Sequence, residues 1–406
     1  MNKEGERPGG PRSLLADRDF LRLWAAGGFA NAVRWLEILA AGVFAFDQTG
    51  SGLMVAVVTA ARTLPMLLLG AVAGAVAEAV DRKALLIAGQ ITIASSAATL
   101  CALALTGQIR IWHIVAGGAV SGLVWASELA VRRRMLGEVA GPLRVAQAVA
   151  LDTVTSHLTR MAGPVVGGLL LESIGIGGVY LLSAVLFLSA AAVVAGLRYE
   201  QARRPLAIAR IPADIAEGFA TARRRPAIMA VLGVTIVMNA FGFSYTAMIP
   251  PIGRQEFGVS AALVGLLVSA EAGGGLIGGL VLASGRVQAD RGPLFVGGTV
   301  LLFVCVAAAA VAPWYALALA LLFVGGLGAS AFATMQSTLM MTEAPAELRS
   351  RLMGILTVCI GSAPLGILAV GELSEHVGHS TAMLTMALTG LVLLAIVCRI
   401  WPIGRG

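Results

Sequence analysis

The chain has 406 residues, 58% of them hydrophobic and 13% charged, with a net charge of +7 and a mean hydropathy of +0.88. A soluble domain is about 45–50% apolar and about 25% charged, so this composition excludes a water-soluble enzyme or scaffold and fits a chain that crosses a bilayer many times. The basic surplus is scattered among short polar intervals and not gathered on one soluble face, which argues against nucleic acid as a partner.

In chain order, residues 1–21 form a polar, charged segment without a cleavable signal peptide, so the first apolar run is expected to remain as a helix. A hydrocarbon core of about 30 Å takes about 20 apolar residues to cross as a helix. Runs of that kind occur at 22–46, 53–77, 84–106, 112–132, 145–171, 179–197, 227–250, 261–284, 294–311, 315–341, 351–371 and 380–398, which predicts an all-α membrane protein of twelve transmembrane helices. None of the runs alternates with a strand period, and the 50 Gly suit helices that pack closely. The longest polar interval, 198–226, divides six runs from six. From Pro212 onward it places acids early and bases late, as a short amphipathic helix on the membrane surface does.

The expected organisation is a cytoplasmic segment over 1–21, a six-helix bundle over 22–197, a cytoplasmic linker over 198–226, a second bundle over 227–398 and a cytoplasmic tail over 399–406. Of the 29 Lys and Arg, only Arg110 and Arg254 fall in intervals opposite the N-terminus, and only Arg34, Arg62 and Arg160 lie within helices. The positive-inside rule then puts both termini in the cytoplasm. Cys101, Cys305, Cys359 and Cys398 sit singly in apolar runs and read as small core residues.

The two halves resemble each other weakly but in order. An ungapped offset of 209 sets 49–70 over 258–279 and Asp81-Arg82 over Asp290-Arg291. An offset of 205 sets MLGEVAGPLR (135–144) over MMTEAPAELR (340–349), and an offset of 200 sets Pro164 and Glu172 over Pro364 and Glu372. A duplicated six-helix unit in parallel orientation is an arrangement of secondary transporters, with a substrate site between the halves.

Between the second and third runs the chain reads GAVAEAVDRKALL (74–86). On the six-plus-six plan this loop resembles the signature G-x-x-x-D-R-x-G-R-[KR] of the major facilitator superfamily. Gly74, Glu78, Arg82 and Lys83 hold four of its positions, while Ala79 replaces an Arg and Asp81 a Gly. Gly163-Pro164-x-x-Gly167-Gly168 in the fifth run resembles the superfamily's antiporter motif. MNAFGFSYTAMIPP (238–251) and QSTLMMTEAPAELRSRLMG (336–354) resemble segments of the branch that includes the enterobactin exporter and macrolide-efflux proteins. The resemblance implies a transporter in a bacterial cytoplasmic membrane that exports a siderophore or drug-like molecule in exchange for protons, by alternating access and without a cofactor. Uptake of a siderophore or nutrient is an alternative, and so is a non-transporting sensor or scaffold on the same fold. On the transporter reading Glu78 is a gate carboxylate that pairs across the interface with bases or exposed helix-end amides; the plainer alternative is a solvated turn. Gly163-Pro164 is either a transport bend or an ordinary kink packed by small residues.

A charged residue at mid-helix costs about 2.5–3.5 kcal/mol on insertion scales, so it is expected to face a partner, water or substrate. Arg34 and Glu37 lie in the first run, Arg62 in the second, His157 and Arg160 in the fifth and Glu271 in the eighth, with Glu128, Arg132 and Asp152 nearer the inner face. Runs three, six, nine and twelve carry no charge in their apolar cores, as the resemblance implies for peripheral helices. Spacing pairs Arg34 with Glu37 and Glu128 with Arg132, and aligns Asp152, Ser156 and Arg160. Repeat symmetry sets Arg62 opposite Glu271. Glu271, with no base within four residues, is the leading proton-coupling candidate, followed by Glu37 and Asp152. The substrate-cavity candidates are Asn31, Arg34, Trp35, Arg62, Trp125, His157, Arg160, Asn239, Tyr245, Met335 and Gln336. Three Arg against two Glu at mid-depth, with His157, favours an anionic substrate. No phosphate-cradling Gly-Lys-Ser/Thr loop and no credible metal constellation is present, so neither ATP drive, nor a metal site, nor enzyme chemistry is expected. The expected partners are a small-molecule substrate, protons and the lipid bilayer, around a monomer.

Overall fold

The computed structural model describes residues 14–141, 143–199, 219, 222–284, 290–344 and 348–402, with side chains at all of these except 69–79, 129, 130 and 349–351. All regular structure among them is helical. The elements are α1 (Arg18–Thr49), α2 (Gly52–Ala79), α3 (Arg82–Leu105), α4 (Ile111–Ala140), α5 (Val145–Ala195), α6 (Pro226–Glu256), α7 (Ala261–Ala283), α8 (Arg291–Ala310), α9 (Tyr315–Glu343), α10 (Leu352–Val377) and α11 (His379–Ile400). Ten of these are long and apolar enough to cross a membrane, and α2 contributes a shorter apolar stretch, Gly52–Leu68. Most of the expected linker, 198–226, and most of the N-terminal segment lie outside the described residues.

Local chemistry sets where the helices begin and end. Asp17 accepts from the Asp19 and Phe20 amides at 3.0 and 3.2 Å and starts α1, and Gly50 ends it in the left-handed region (φ 64°) that other residues avoid. Asp81 starts α3 by accepting from the Ala84 amide at 2.9 Å. The fifth and sixth apolar runs fall in the single element α5, whose arms, 145–174 and 176–195, meet at Gly175 (φ 67°, ψ 177°).

Two elements depart from regular winding. α6 passes through a π turn at Met238–Gly242, a 3-10 turn at Ser244–Met248 and a second π turn at Ile252–Glu256, on either side of Pro250-Pro251. Proline supplies no amide to the helix ladder, so carbonyls one turn upstream must find other partners, and the winding changes there. α10 is interrupted by a turn at residues 361–362, just ahead of Pro364.

α1 to α5 pack among themselves, as do α6 to α11. The two halves meet chiefly along α5 with α7 and along α2 with α10. The second half has one continuous apolar core, whereas the first is divided into several smaller clusters. The expectation for the cysteines holds: Cys101, Cys305 and Cys359 are buried, Cys398 is half-buried, and all are free thiols.

Candidate functional site

A cavity of about 300 Å³ lies between the halves. Arg34, Trp35, Ile38, Leu39 and Gly42 of α1, Thr59, Arg62 and Thr63 of α2, Trp125 of α4 and Arg160 and Pro164 of α5 form one wall. Phe243, Thr246 and Pro250 of the irregular stretch of α6, Val268 and Glu271 of α7 and Ile367 of α10 form the other. Neither α3, α8, α11 nor the second arm of α5 contributes, as expected for runs without buried charge.

The buried charges are paired, though not as spacing on one helix suggested. Arg34 bonds Glu128 at 3.4 Å and Asn31 at 2.8 Å, and Glu37 belongs to Arg62 at 2.8 Å, so the Arg34–Glu37 pair does not form. Arg132 binds Asp152 on α5, which breaks the expected Glu128–Arg132 pair. Glu271 is not unpaired: it holds Arg160, and the Arg62–Glu271 pairing suggested by symmetry is replaced by Arg160–Glu271. The stripe Asp152, Ser156 and Arg160 is split among three partners, Ser156 accepting from Asn31 at 3.3 Å. The physical reason is common to all. Sequence spacing states which residues of one helix can touch, whereas in a tight bundle the facing helices present carboxylates and guanidiniums at shorter range.

Four Arg therefore meet four acids, and the mid-depth surplus of positive charge disappears once Glu128 is counted with Arg34. Glu37, Glu128, Asp152 and Glu271 are all buried. Arg160 differs from the other guanidiniums in keeping 32% of its side chain exposed. Each of the two cavity-facing tryptophans carries a cation on its ring: Arg34 lies 4.6 Å from the Trp125 centroid and Arg160 5.2 Å from that of Trp35.

Other candidates lie off the cavity wall in this conformation. Asn31 and Asp152 stand behind it in the polar network of the first half. Glu37 lies behind Arg62, beside Tyr180, Ser96 and Ser121. Gln336 donates to Thr235 Oγ1 at 2.7 Å, Asn239 donates to the Thr235 carbonyl at 2.9 Å, and Tyr245 and Met335 pack with the apolar core of the second half. His157 is half-buried on α5, apart from the cavity lining. Sequence reasoning missed Ile38, Leu39, Gly42, Thr59, Thr63, Phe243, Thr246, Pro250, Val268 and Ile367. Only the Thr residues and the Pro250-Pro251 pair next to Thr246 offered any signal.

The α5 motif has a packing role. A Cβ on Gly163 or Gly167 would run into Trp35 and the backbone of Leu36 on α1, and one on Gly168 into the Ala261 backbone of α7. The Pro164 carbonyl in turn abuts Gly265. Glycine here lets α5 touch α1 and, across the interface, α7.

At the loop between α2 and α3, the side chains of Gly74 and Glu78 lie outside the described set. Arg82 is buried and donates to both Glu138 oxygens, at 3.0 and 3.1 Å, and to the Tyr199 hydroxyl at 2.6 Å, while Lys83 donates to the Leu197 carbonyl at 2.8 Å. Together with the cap from Asp81, these bonds tie the loop within the first half. Burial, together with the Glu138 carboxylate, pushes the Tyr199 hydroxyl above its ordinary value of 10.

Polar links between the halves gather at mid-depth and at one end. Asp47 holds Arg254 with both oxygens at 2.9 Å, Glu375 reaches the start of α2, Glu172 reaches the start of α7, and the Phe46 and His379 rings meet edge to face. The opposite end carries Leu14 and Pro402, the first and last described residues, and the bonds given above for Arg82 and Lys83 lie there.

A helical membrane chain folded as two packed halves around a shared, charge-lined cavity is a membrane transporter of the major facilitator type. The chain belongs to the transmembrane secretion effector family of that superfamily: the family model matches residues 10–403. It is 24% identical over 382 residues to the multidrug efflux pump Tap of Mycolicibacterium fortuitum, covering 92% of this chain and 93% of that protein. It is 25% identical over 253 residues to the staphyloferrin A transporter of Staphylococcus aureus, covering 61% and 62%. Its fold matches a bacterial homologue of the human lysosomal transporter Spinster in an inward-facing, unoccupied conformation, with a TM-score of 0.73, 14% identity and coverage of 98% and 97%. The protein is thus a multi-pass cell-membrane transporter and not an enzyme.

Proposed function

We propose that the protein is a proton-coupled exporter of a small molecule, drug-like or siderophore-like, that acts as a monomer by alternating access between two six-helix bundles. Two arms in α5 and the apolar stretch of α2 support a count of twelve crossings, and the Lys and Arg bias supports cytoplasmic termini. The joined end then faces outward, and the cavity is loaded from the cytoplasm.

The observation that carries this reading is the Arg160–Glu271 bridge inside the cavity wall. Two cations compete for the Glu271 carboxylate, the Arg160 guanidinium and a proton. A proton on Glu271 releases the bridge between the halves, so proton binding favours a different arrangement of the halves from the one in which the pair is made. His157 and Tyr245 lie within electrostatic reach of the same pair. Because the wall is otherwise mostly carbon and its charges are compensated, it supports an amphipathic substrate without requiring a net negative one.

The test is transport into everted membrane vesicles with an acid interior, using ethidium as a lipophilic probe and ferric citrate as a polycarboxylate. The expected result is protein-dependent uptake of ethidium that collapses with a protonophore and is lost in Glu271→Gln. Uptake of ferric citrate alone would favour the siderophore arm. Gradient-driven uptake undiminished in Glu271→Gln would remove Glu271 from proton coupling.

A further inference from the structure

A carboxylate that caps helix-end amides across the interface is the chemistry expected of Glu78. The structure carries that chemistry twice at the opposite end, on residues with no assigned role. Glu375, near the end of α10, accepts from Ser51 Oγ at 2.8 Å and from the Leu53 amide at 3.0 Å, at the start of α2. Glu172, near the end of the first arm of α5, accepts from the amide of Ala261, the first residue of α7, at 2.5 Å. The two sites are related by the repeat. Gly52, which opens α2, stands 209 positions before Ala261, and Glu172 has its counterpart 200 positions on at Glu372, about one helical turn from Glu375. The exchange is crosswise: the first half lends a carboxylate to a helix of the second, and the second lends one back.

We propose that these two crosswise caps form a latch that holds the halves together at this end and sets how often the end opens. The first turn of a helix has amides without intrahelical acceptors and a partial positive charge, so a carboxylate there makes a charge-assisted bond. The caps sit beside close helix contacts. A Cβ on Gly52 would fall 2.5 Å from Ser374 Oγ and 2.8 Å from His379 Nδ1, and one on Gly371 would lie 3.2 Å from the Leu53 Cα. Glu172 follows the Gly168 contact with Ala261 by one turn. Asp47–Arg254 is a third link, between the ends of α1 and α6.

All three links lie where water can reach them: Glu172, Glu375 and Asp47 are exposed. On separation both the carboxylates and the amides are rehydrated, and no charge is stranded in apolar surroundings. That makes each link weak and reversible, as a latch that breaks in every cycle must be. The inference concerns the conformational equilibrium and holds whatever the substrate or coupling ion.

The experiment places spin labels at Gln48→Cys and Thr381→Cys, exposed positions on opposite halves at this end, in protein whose four native cysteines are replaced by Ala. Distances are measured in lipid nanodiscs. Glu172→Ala and Glu375→Ala are each expected to raise the ratio of long to short distances about threefold, and the double variant about tenfold. Glu375→Gln, which keeps a neutral acceptor, should raise it less. A distance distribution unchanged in either single variant, with thermal unfolding like that of the parent, would overturn the latch. So would an equal shift from Glu372→Ala, whose carboxylate faces His376 and makes no link between the halves.

Discussion

Removing the Glu37 carboxylate should destabilise the protein through Arg62 and not through Arg34. The Arg62–Glu37 bond is 2.8 Å long, with 11% and 4% of the two side chains exposed, so each group has little access to water in place. Stranding a buried charge costs about 3–5 kcal/mol, and Glu37→Gln, which retains one acceptor, should lie near the lower limit. Replacing both residues, as Glu37→Gln with Arg62→Met, should recover about 2–3 kcal/mol of that loss as coupling. The same cycle between Glu37 and Arg34 should give about 1 kcal/mol or less, because Arg34 is engaged by Glu128 and Asn31. The assay is unfolding of purified protein by SDS in mixed micelles, with four variants in each cycle. A larger coupling for Arg34–Glu37 than for Arg62–Glu37 would show that spacing along α1, and not the facing helix, chooses the partner.

Arg82→Gln should cost about 1–2 kcal/mol in the same assay, since it unties α3 from Glu138 and Tyr199 while the half-open Glu138 can turn to water. Gly168→Val should separate α5 from α7 at the joined end, seen as a lower unfolding midpoint and a larger fraction of long distances between labels at residues 48 and 381; an unchanged midpoint would contradict the close backbone contact. Tyr199 adds a pH dependence of definite sign. Its folded value is raised, so its contribution is complete below about pH 10 and is lost as the pH rises through the higher folded value. Midpoints compared between pH 7 and pH 11 should fall less for Tyr199→Phe than for the parent.

The helices were legible because burial in lipid demands length and apolarity, and these are written residue by residue. Even the break at Gly175 falls in the gap between the fifth and sixth runs. The altered winding of α6 was not legible: Pro250-Pro251 marks a disturbance, but its π and 3-10 turns depend on what packs around them. Of the cavity-lining residues, Arg34, Arg62 and Arg160, and Glu271 as a proton-coupling candidate, could be picked out because charge is conspicuous in a lipid-soluble chain, and Trp35 and Trp125 because of the helices they lie on. Ile38, Val268 and Ile367 could not, since an apolar side chain facing a cavity looks the same as one facing lipid. Ion-pair partners were misread because spacing describes one helix at a time. The links made by Asp47, Glu172, Arg254 and Glu375 between the halves were not legible because a charge at a helix end looks like ordinary solvation until the opposite half is seen to approach it.

Proton coupling through the Arg160–Glu271 bridge is tested most directly in proteoliposomes that hold the purified protein and a trapped pH-sensitive dye. An outward-directed gradient of ethidium or ferric citrate is imposed with the membrane potential clamped. Parent protein should move protons against the flow of at least one probe, and Glu271→Gln should carry out probe exchange without proton movement. Proton movement equal in Glu271→Gln and parent, or probe flux in the parent with no proton movement, would contradict it.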